Sequence, residues 1–310
     1  MPENQTAVHA ALQNVPRLMG IKPGDYTTQR LGGLTNLVYR VDTGNELLIV
    51  RIPGEGTETY IDRAVELHNA TVAADAGISA PILWADGKTG VMISRCIDNI
   101  ETMTPALFSS RNGAAARAGT AFGKLHRCGQ DFQFRFELFA MIDDYLDILS
   151  GKDIALPEGY HDIVRAADPI KHALAVAPAP LAPCHCDPLC ENFLDDGDRM
   201  WIIDWEYSGM NDPMWDLGDL SVEAGFTPDQ DTAMMTAYFG RPPTDCETGR
   251  MVVYKAMCDL LWTLWGLIQH ADGNTAEDFN AYAVTRFNRC RALMEHADFA
   301  GHIASIAKTA

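Results

Sequence analysis

The chain has 310 residues, of which 47% are hydrophobic and 21% charged, ample apolar content for a sizeable core. Its formal net charge of -18 opposes a nucleic-acid backbone or an anionic membrane as the main partner; it suits a small cation, although acidity also simply keeps proteins soluble. Residues 1–20 lack a basic segment and a continuous apolar run, and no stretch offers roughly 18 uninterrupted apolar residues; the eight cysteines do not resemble a secreted disulfide framework, so free thiols in a reducing cytoplasm are expected.

In chain order, TTQRLGG, LVYRV and ELLIVRI are β-branched runs broken by Gly, Asp and Asn, which predicts three antiparallel strands. IDRAVELHNATVAADAG carries Ala64, Leu67, Ala70, Thr71 and Ala74 at helical spacing, with Gly77 as a C-terminal stop. ILWA and GVMISRCI flank Asp86, Gly87 and Lys88, a hairpin signal. Helices are predicted over 112–127, 135–150, 158–176, 213–224, 229–239, 246–270 and 276–297. A single β interruption is predicted among them: a strand from Asn192 to Leu194, a tight turn, and a strand from Arg199 to Asp204. The pattern predicts an α+β fold of two lobes. A small β-rich lobe with one main helix spans 1–97, a larger helical lobe spans 98–310, and a ligand cleft lies between them.

The interrupting stretch reads CHCDPLCENFLDDGDRMWIIDWEYSG from 184 to 209. Cys184, His185, Cys186 and Cys190 offer four metal ligands, but structural zinc sites pair a C-x2–4-C unit with a distant second pair, and none is present. Phosphoryl transfer fits the same stretch better. That reaction needs an acceptor hydroxyl held in line and a metal that neutralises the triphosphate. Asp187 suits the first task as proton acceptor. Asn192 and Asp204, brought back by the hairpin, supply oxygens of the kind Mg²⁺ takes. Gly32 and Gly33, between two strands, suit close approach of backbone amides to phosphate, though Gly-Gly is also an ordinary turn.

The order H-C-D-x-x-x-x-N, then I-I-D-W-E, resembles the catalytic and metal-binding segments of the aminoglycoside phosphotransferase and choline kinase superfamily, relatives of protein kinases. IIDWEYSGMNDPMWDLGDLSVE is similar to choline/ethanolamine kinases, and LGGLTNLVYRV with VRIPGEGTETYIDR to the bacterial choline kinases. The resemblance runs from about residue 30 to 290. It implies a protein-kinase-like fold that uses ATP and Mg²⁺, with Thr35 and Asn36 as donors in a phosphate-covering loop. It further implies Arg51 on the phosphates and paired with Glu66, and residues 93–97 as the inter-lobe connection whose backbone meets adenine.

The same resemblance makes Asp216 a support for the loop backbone, with Asp219 also supporting, and His185 a loop anchor. Trp262 and Trp265 sit at i and i+3 in the late helix, a spacing that by itself reads as core. By resemblance these two, with Tyr207 and Tyr282, form a choline pocket whose charge Glu223 balances. A further pocket tyrosine expected after Glu223 is absent, and Phe226 is the candidate substitute. The expected partner is a small cationic alcohol, choline first. Ethanolamine, thiamine or an aminoglycoside are the alternatives, and a non-catalytic nucleotide- or choline-binding module is the reading from another class.

Overall fold

Alternating apolar residues build the sheet of the smaller lobe. In the structure, a computed structural model that describes residues 3–32, 36–54 and 61–307, helix α1 (Glu3–Leu12) precedes β1 (Thr27–Arg30), β2 (Leu37–Asp42) and β3 (Leu47–Ile52). After α2 (Arg63–Asp75) come β4 (Ile82–Ala85) and β5 (Met92–Arg95), giving an antiparallel sheet in the order β1-β2-β3-β5-β4. Asp86 closes the β4–β5 turn by accepting the Lys88 amide and the Thr89 hydroxyl. Tyr39, Val41, Leu48, Val50 and Ile93 pack against Val8, Ala11 and Leu12 of α1, a helix that the periodicity does not predict. Among the described residues only these three of α1 enter the core, too few to leave a pattern.

Asp62 caps α2 by accepting the Ala64 and Val65 amides, and the helix stops at Gly77, whose φ of +66° suits glycine. Ala70, Val72 and Ala73 of α2 belong to the core of the larger lobe. This helix therefore ties the two lobes together, although it precedes residue 97. The stretch 93–97 is mostly strand, because Ile93 and Ser94 pair with Val50 and Ile49 on β3. The connection proper starts at Cys96 and leads to β6 (Glu101–Thr102).

The larger lobe continues with α3 (Pro105–Ser110), α4 (Ala114–His126), α5 (Leu138–Ser150), α6 (Tyr160–Ala166) and α7 (Asp168–Val176). The helix predicted over 158–176 is thus two. Pro169 has no N–H to donate one turn back, so the second helix starts afresh there. Next come β7 (Ala182–Cys184), β8 (Phe193–Asp195), β9 (Met200–Ile202) and β10 (Gly209–Asn211). Beyond the expected β8–β9 hairpin, β10 pairs with β7 and β6 with β8. The chain then runs through α8 (Met214–Ala224), α9 (Pro228–Phe239), α10 (Asp245–Ala271), α11 (Phe279–Met294) and α12 (Phe299–Ile306).

Thr244 and Glu247 form a capping box that starts α10, the 27-residue axis of the lobe. By length and composition α10 passes for a membrane span, but 78% of its apolar window is buried inside the protein, as befits a core helix. Glycines let neighbouring backbones approach this axis and each other. A Cβ on Gly218 of α8 would stand 2.8 Å from the Met251 carbonyl of α10, and one on Gly119 of α4 would collide with the Met234 carbonyl of α9. Gly119→Ala should therefore separate α4 from α9. We expect a loss of about 1–3 kcal/mol in denaturant unfolding, and an unchanged midpoint would show that the helices shift without strain.

Candidate active site

The loop between β7 and β8 is held by its backbone. Asp216, buried at the start of α8, accepts the His185 amide (2.7 Å) and the Cys186 amide (2.9 Å). Trp215 donates its indole N–H to the Cys186 carbonyl at 3.0 Å. His126 of α4 links the same Asp216 carboxylate (3.0 Å) to the Tyr238 hydroxyl (3.1 Å). These contacts hold Cys186 at a φ of +66°, unusual for a residue with a side chain. Asp187 follows directly.

Two further bonds join the loop to the end of β9. The Ile203 amide donates to the Asn192 carbonyl at 3.0 Å. The His185 ring bonds the Ile203 carbonyl at 2.8 Å, and burial holds that ring below its usual pKa, hence neutral, so Nε2 is the donor. Asp204, with a φ of +68°, follows Ile203. The Asn192 side-chain NH₂ donates to the Asp187 carbonyl at 3.1 Å. Asp187, Asn192 and Asp204 are thus set by one short, continuous set of bonds.

The sulfur atoms do not join in. Cys184 Sγ points to the Asn211 carbonyl and Cys186 Sγ to the Cys184 carbonyl. Burial pushes both thiols well up, away from the thiolate a zinc ion requires. All eight cysteines are free.

Electrostatics distinguishes the acids. Burial, then the neighbouring Asp204 and Glu223, push the Asp187 carboxyl up to about 8. Burial, then Glu206, push Asp204 up to about 7, against the pull of Arg51. Asp204 Oδ1 is buried without a hydrogen-bond partner and faces Arg51 Nη1 at 3.7 Å. An orphaned carboxylate oxygen, two residues from Glu206 and on a backbone tied to that of Asn192, fits a hard divalent cation, which takes oxygen ligands and relieves such repulsion.

Across the cleft, Arg51 ion-pairs with Glu66. Arg63 bridges Glu66 and Glu206, each at 2.7 Å. Asn36 donates to Glu206 at 3.1 Å. Glu206 and Arg63 were not singled out in the sequence. A signal existed for both, since Glu206 lies two residues from Asp204, and Arg63 sits at i+3 spacing from Glu66. Gly32 is exposed with open space around it, while Gly33 and Thr35 lie outside the described residues.

Asp187 also lines a cavity of about 360 Å³ in the helical lobe, together with Tyr207, Trp262, Trp265, Phe279, Tyr282 and Glu223. Trp265 meets Phe279 at 5.5 Å and Tyr282 at 5.9 Å, and Tyr207 meets Trp262 at 5.7 Å, all edge-to-face. Gly266 lets Tyr282 lie against α10, since a Cβ there would reach the ring at 2.7 Å. Glu223 is not the free countercharge expected of it, because its carboxylate pairs with Arg286, sixty-three residues away. Phe226 does not reach the cavity either; it packs edge-on to Phe108 in the core, at 5.4 Å. The additional ring is Phe279, which opens α11 and carries no local signal.

Residues 27–246 match the family model described as the phosphotransferase enzyme family. A crystal structure of a choline/ethanolamine kinase family protein from Mesorhizobium loti is 55% identical with a TM-score of 0.89, over 98% of this chain and 99% of that one. The choline kinase LicA from Streptococcus pneumoniae is 25% identical with a TM-score of 0.77, over 94% and 98%. Ethanolamine kinase 2 from Mus musculus is 26% identical over 312 residues, 86% of this chain and 76% of that protein. The chain belongs to the phosphotransferase enzyme family, within its choline/ethanolamine kinase group.

A raised carboxyl pKa lowers the stability of the folded protein as pH climbs. For Asp187 the penalty is absent below its unfolded value near 3.8 and grows until the pH passes about 8. Asp187→Asn should therefore raise Tm in metal-free buffer, clearly at pH 9 and much less at pH 5. Thermal melts at the two pH values check this, and an equal shift at both would show that Asp187 is not the strained group.

Proposed function

We propose that the protein transfers the γ-phosphoryl group of ATP to the hydroxyl of choline, forming phosphocholine. The observation that carries this reading is that Asp187 opens on the same cavity as five aromatic rings. A trimethylammonium group has no N–H to donate, so ring faces and nearby negative charge are what recognise it. With the cation against Tyr207, Trp262, Trp265 and Tyr282, the hydroxyl end points to the acid that accepts its proton. As the hydroxyl oxygen bonds to the γ-phosphorus, the bond to the β–γ bridging oxygen breaks and the hydroxyl proton passes to the Asp187 carboxylate.

On the nucleotide side, Gly32 and Asn36 flank the segment that would cover the phosphates, whose Gly33 and Thr35 lie outside the described residues, and Arg51, oriented by Glu66, would contact them. Asn192 and Asp204 would hold Mg²⁺, which neutralises the triphosphate as charge develops on it. His185 and Asp216 keep the loop in shape and meet no substrate.

Ethanolamine is the nearest rival, and the relatives include kinases named for each alcohol. A primary ammonium wants hydrogen-bond acceptors where choline wants ring faces. The cavity's aromatic wall, with Glu223 already paired to Arg286, favours choline. A non-catalytic binding module would need neither Asp187 nor the Asn192 and Asp204 pair.

Initial rates of ADP formation across choline, ethanolamine, thiamine and an aminoglycoside test the assignment. Choline should give the highest kcat/KM, and a preference for ethanolamine would replace it as the substrate. Trp265→Ala should raise KM for choline about two- to thirtyfold; an unchanged KM would make that helix face plain core. Asp187→Ala should lower kcat by about 10²–10⁴-fold while ATP still binds, and near-normal turnover in that variant would remove the mechanism. Because Asp187 must be ionised to take a proton, kcat/KM should fall with decreasing pH from about 8, and added Mg²⁺ should move that limb lower. A limb that stays put as Mg²⁺ is raised would detach the metal from this carboxylate.

A further inference from the structure

Resting on the choline reading, we propose that Asp219 is the specificity-determining countercharge of the cation pocket, acting through the indole of Trp262. The buried charges behind the aromatic wall pair off, with one exception. Arg286 divides its guanidinium between Glu223 and Asp259, and Arg289 grips Asp259 with two bonds, at 2.5 and 2.6 Å. Two carboxylates therefore meet two guanidinium groups, and Glu223 has no charge to spare. Glu191 and Glu277 stand at the cavity's exposed mouth, where water screens them.

Asp219 is the acid left over. It is 1% exposed, its Oδ2 accepts the Trp262 indole N–H at 3.1 Å, and its Oδ1 is buried with no hydrogen-bond partner. Burial, then Glu223, push this carboxyl well above the usual range, with Arg286 opposing and Asp187 adding to the rise. A cation on the cavity face of Trp262 is what favours its ionised form.

The indole carries the effect across the wall. A carboxylate that accepts an indole N–H pushes electron density into the ring, which makes the opposite face more attractive to a cation. The same bond keeps the only polar hydrogen of Trp262 out of the cavity. Trp265 hides its own N–H in a different way, donating it to the Tyr207 hydroxyl at 3.1 Å. A neutral acceptor thus serves one tryptophan and a buried acid the other, which singles out Trp262 as the ring biased toward positive charge.

The test compares choline with its uncharged isostere 3,3-dimethyl-1-butanol, as a substrate or as a competitive inhibitor against choline. Asp219→Asn keeps an acceptor for the indole and removes the charge. It should raise KM for choline about tenfold while the constant for the isostere and kcat stay where they are. An unchanged choline KM, or equal weakening of both ligands, would overturn the proposal and leave Asp219 a packing residue. In a Trp262→Phe background, whose ring has no N–H to pass the charge on, adding Asp219→Asn should cost choline nothing further, so the outcome does not hang on one variant. A wild type that phosphorylates no cationic alcohol sinks the proposed function and this inference together; one that does, with the choline-to-isostere ratio unmoved by Asp219→Asn, or moved equally in both backgrounds, sinks this inference alone.

Discussion

Like charges gathered at the seam between the lobes constrain everything around them. Asp187 and Asp204 are both pushed to pKa values near or above neutrality, and Glu206 and Glu66 stand close to Asp204. Left alone, such a group would protonate or spread apart. The protein instead pins the backbone that carries them. Asp216 and Trp215 bind the loop at Cys186, and His185 with the Asn192 carbonyl stitches it to Ile203. Two residues with side chains, Cys186 and Asp204, are held at positive φ as a result, at a cost of about 1–3 kcal/mol each. Stability is given up locally for a site ready to receive positive charge, as is common where function needs strain.

The compensating arginines decide how the two lobes meet. Arg51 comes from β3 and Arg63 from α2, yet both reach Glu206 after β9. Opening the cleft would separate Glu206 from Arg63 and Asn36, leaving buried charge unpaired, which costs several kcal/mol. The apolar residues of α2 add to this, because Ala70, Val72 and Ala73 pack into the core of the helical lobe. Charge pairing and packing thus fix the same relative placement. Arg51 itself is oriented by Glu66 at the same seam.

At the far side of Asp187 the surroundings change from clustered carboxylates to aromatic rings. Both cavity tryptophans satisfy their N–H groups within the protein, on Asp219 and the Tyr207 hydroxyl. A net charge of -18 over the whole chain draws small cations toward such a pocket. One cavity therefore joins a group of aromatic rings to the Asp187 carboxyl.

Local signals in the chain were enough to determine the sheet, most helices, and the segments bearing Asp187, Asn192 and Asp204. Alternation, helical spacing and turn residues report which faces are buried, and H-C-D-x-x-x-x-N with I-I-D-W-E needs no distant partner to be read. Helix α1 carries too weak a pattern, the helical spacing over 158–176 runs on past the break at Pro169, and β10 is too short to announce its pairing with β7. What only the tertiary structure decided were the contacts that bring separate segments together: Glu206 with Arg63, Glu223 with Arg286, Asp219 with Trp262, and Phe279 beside Trp265. Sequence periodicity says that a residue is buried but not against what. The ionisation of a buried acid depends on that missing term, so whether Glu223 or Asp219 has charge to offer a cation was settled by folding alone.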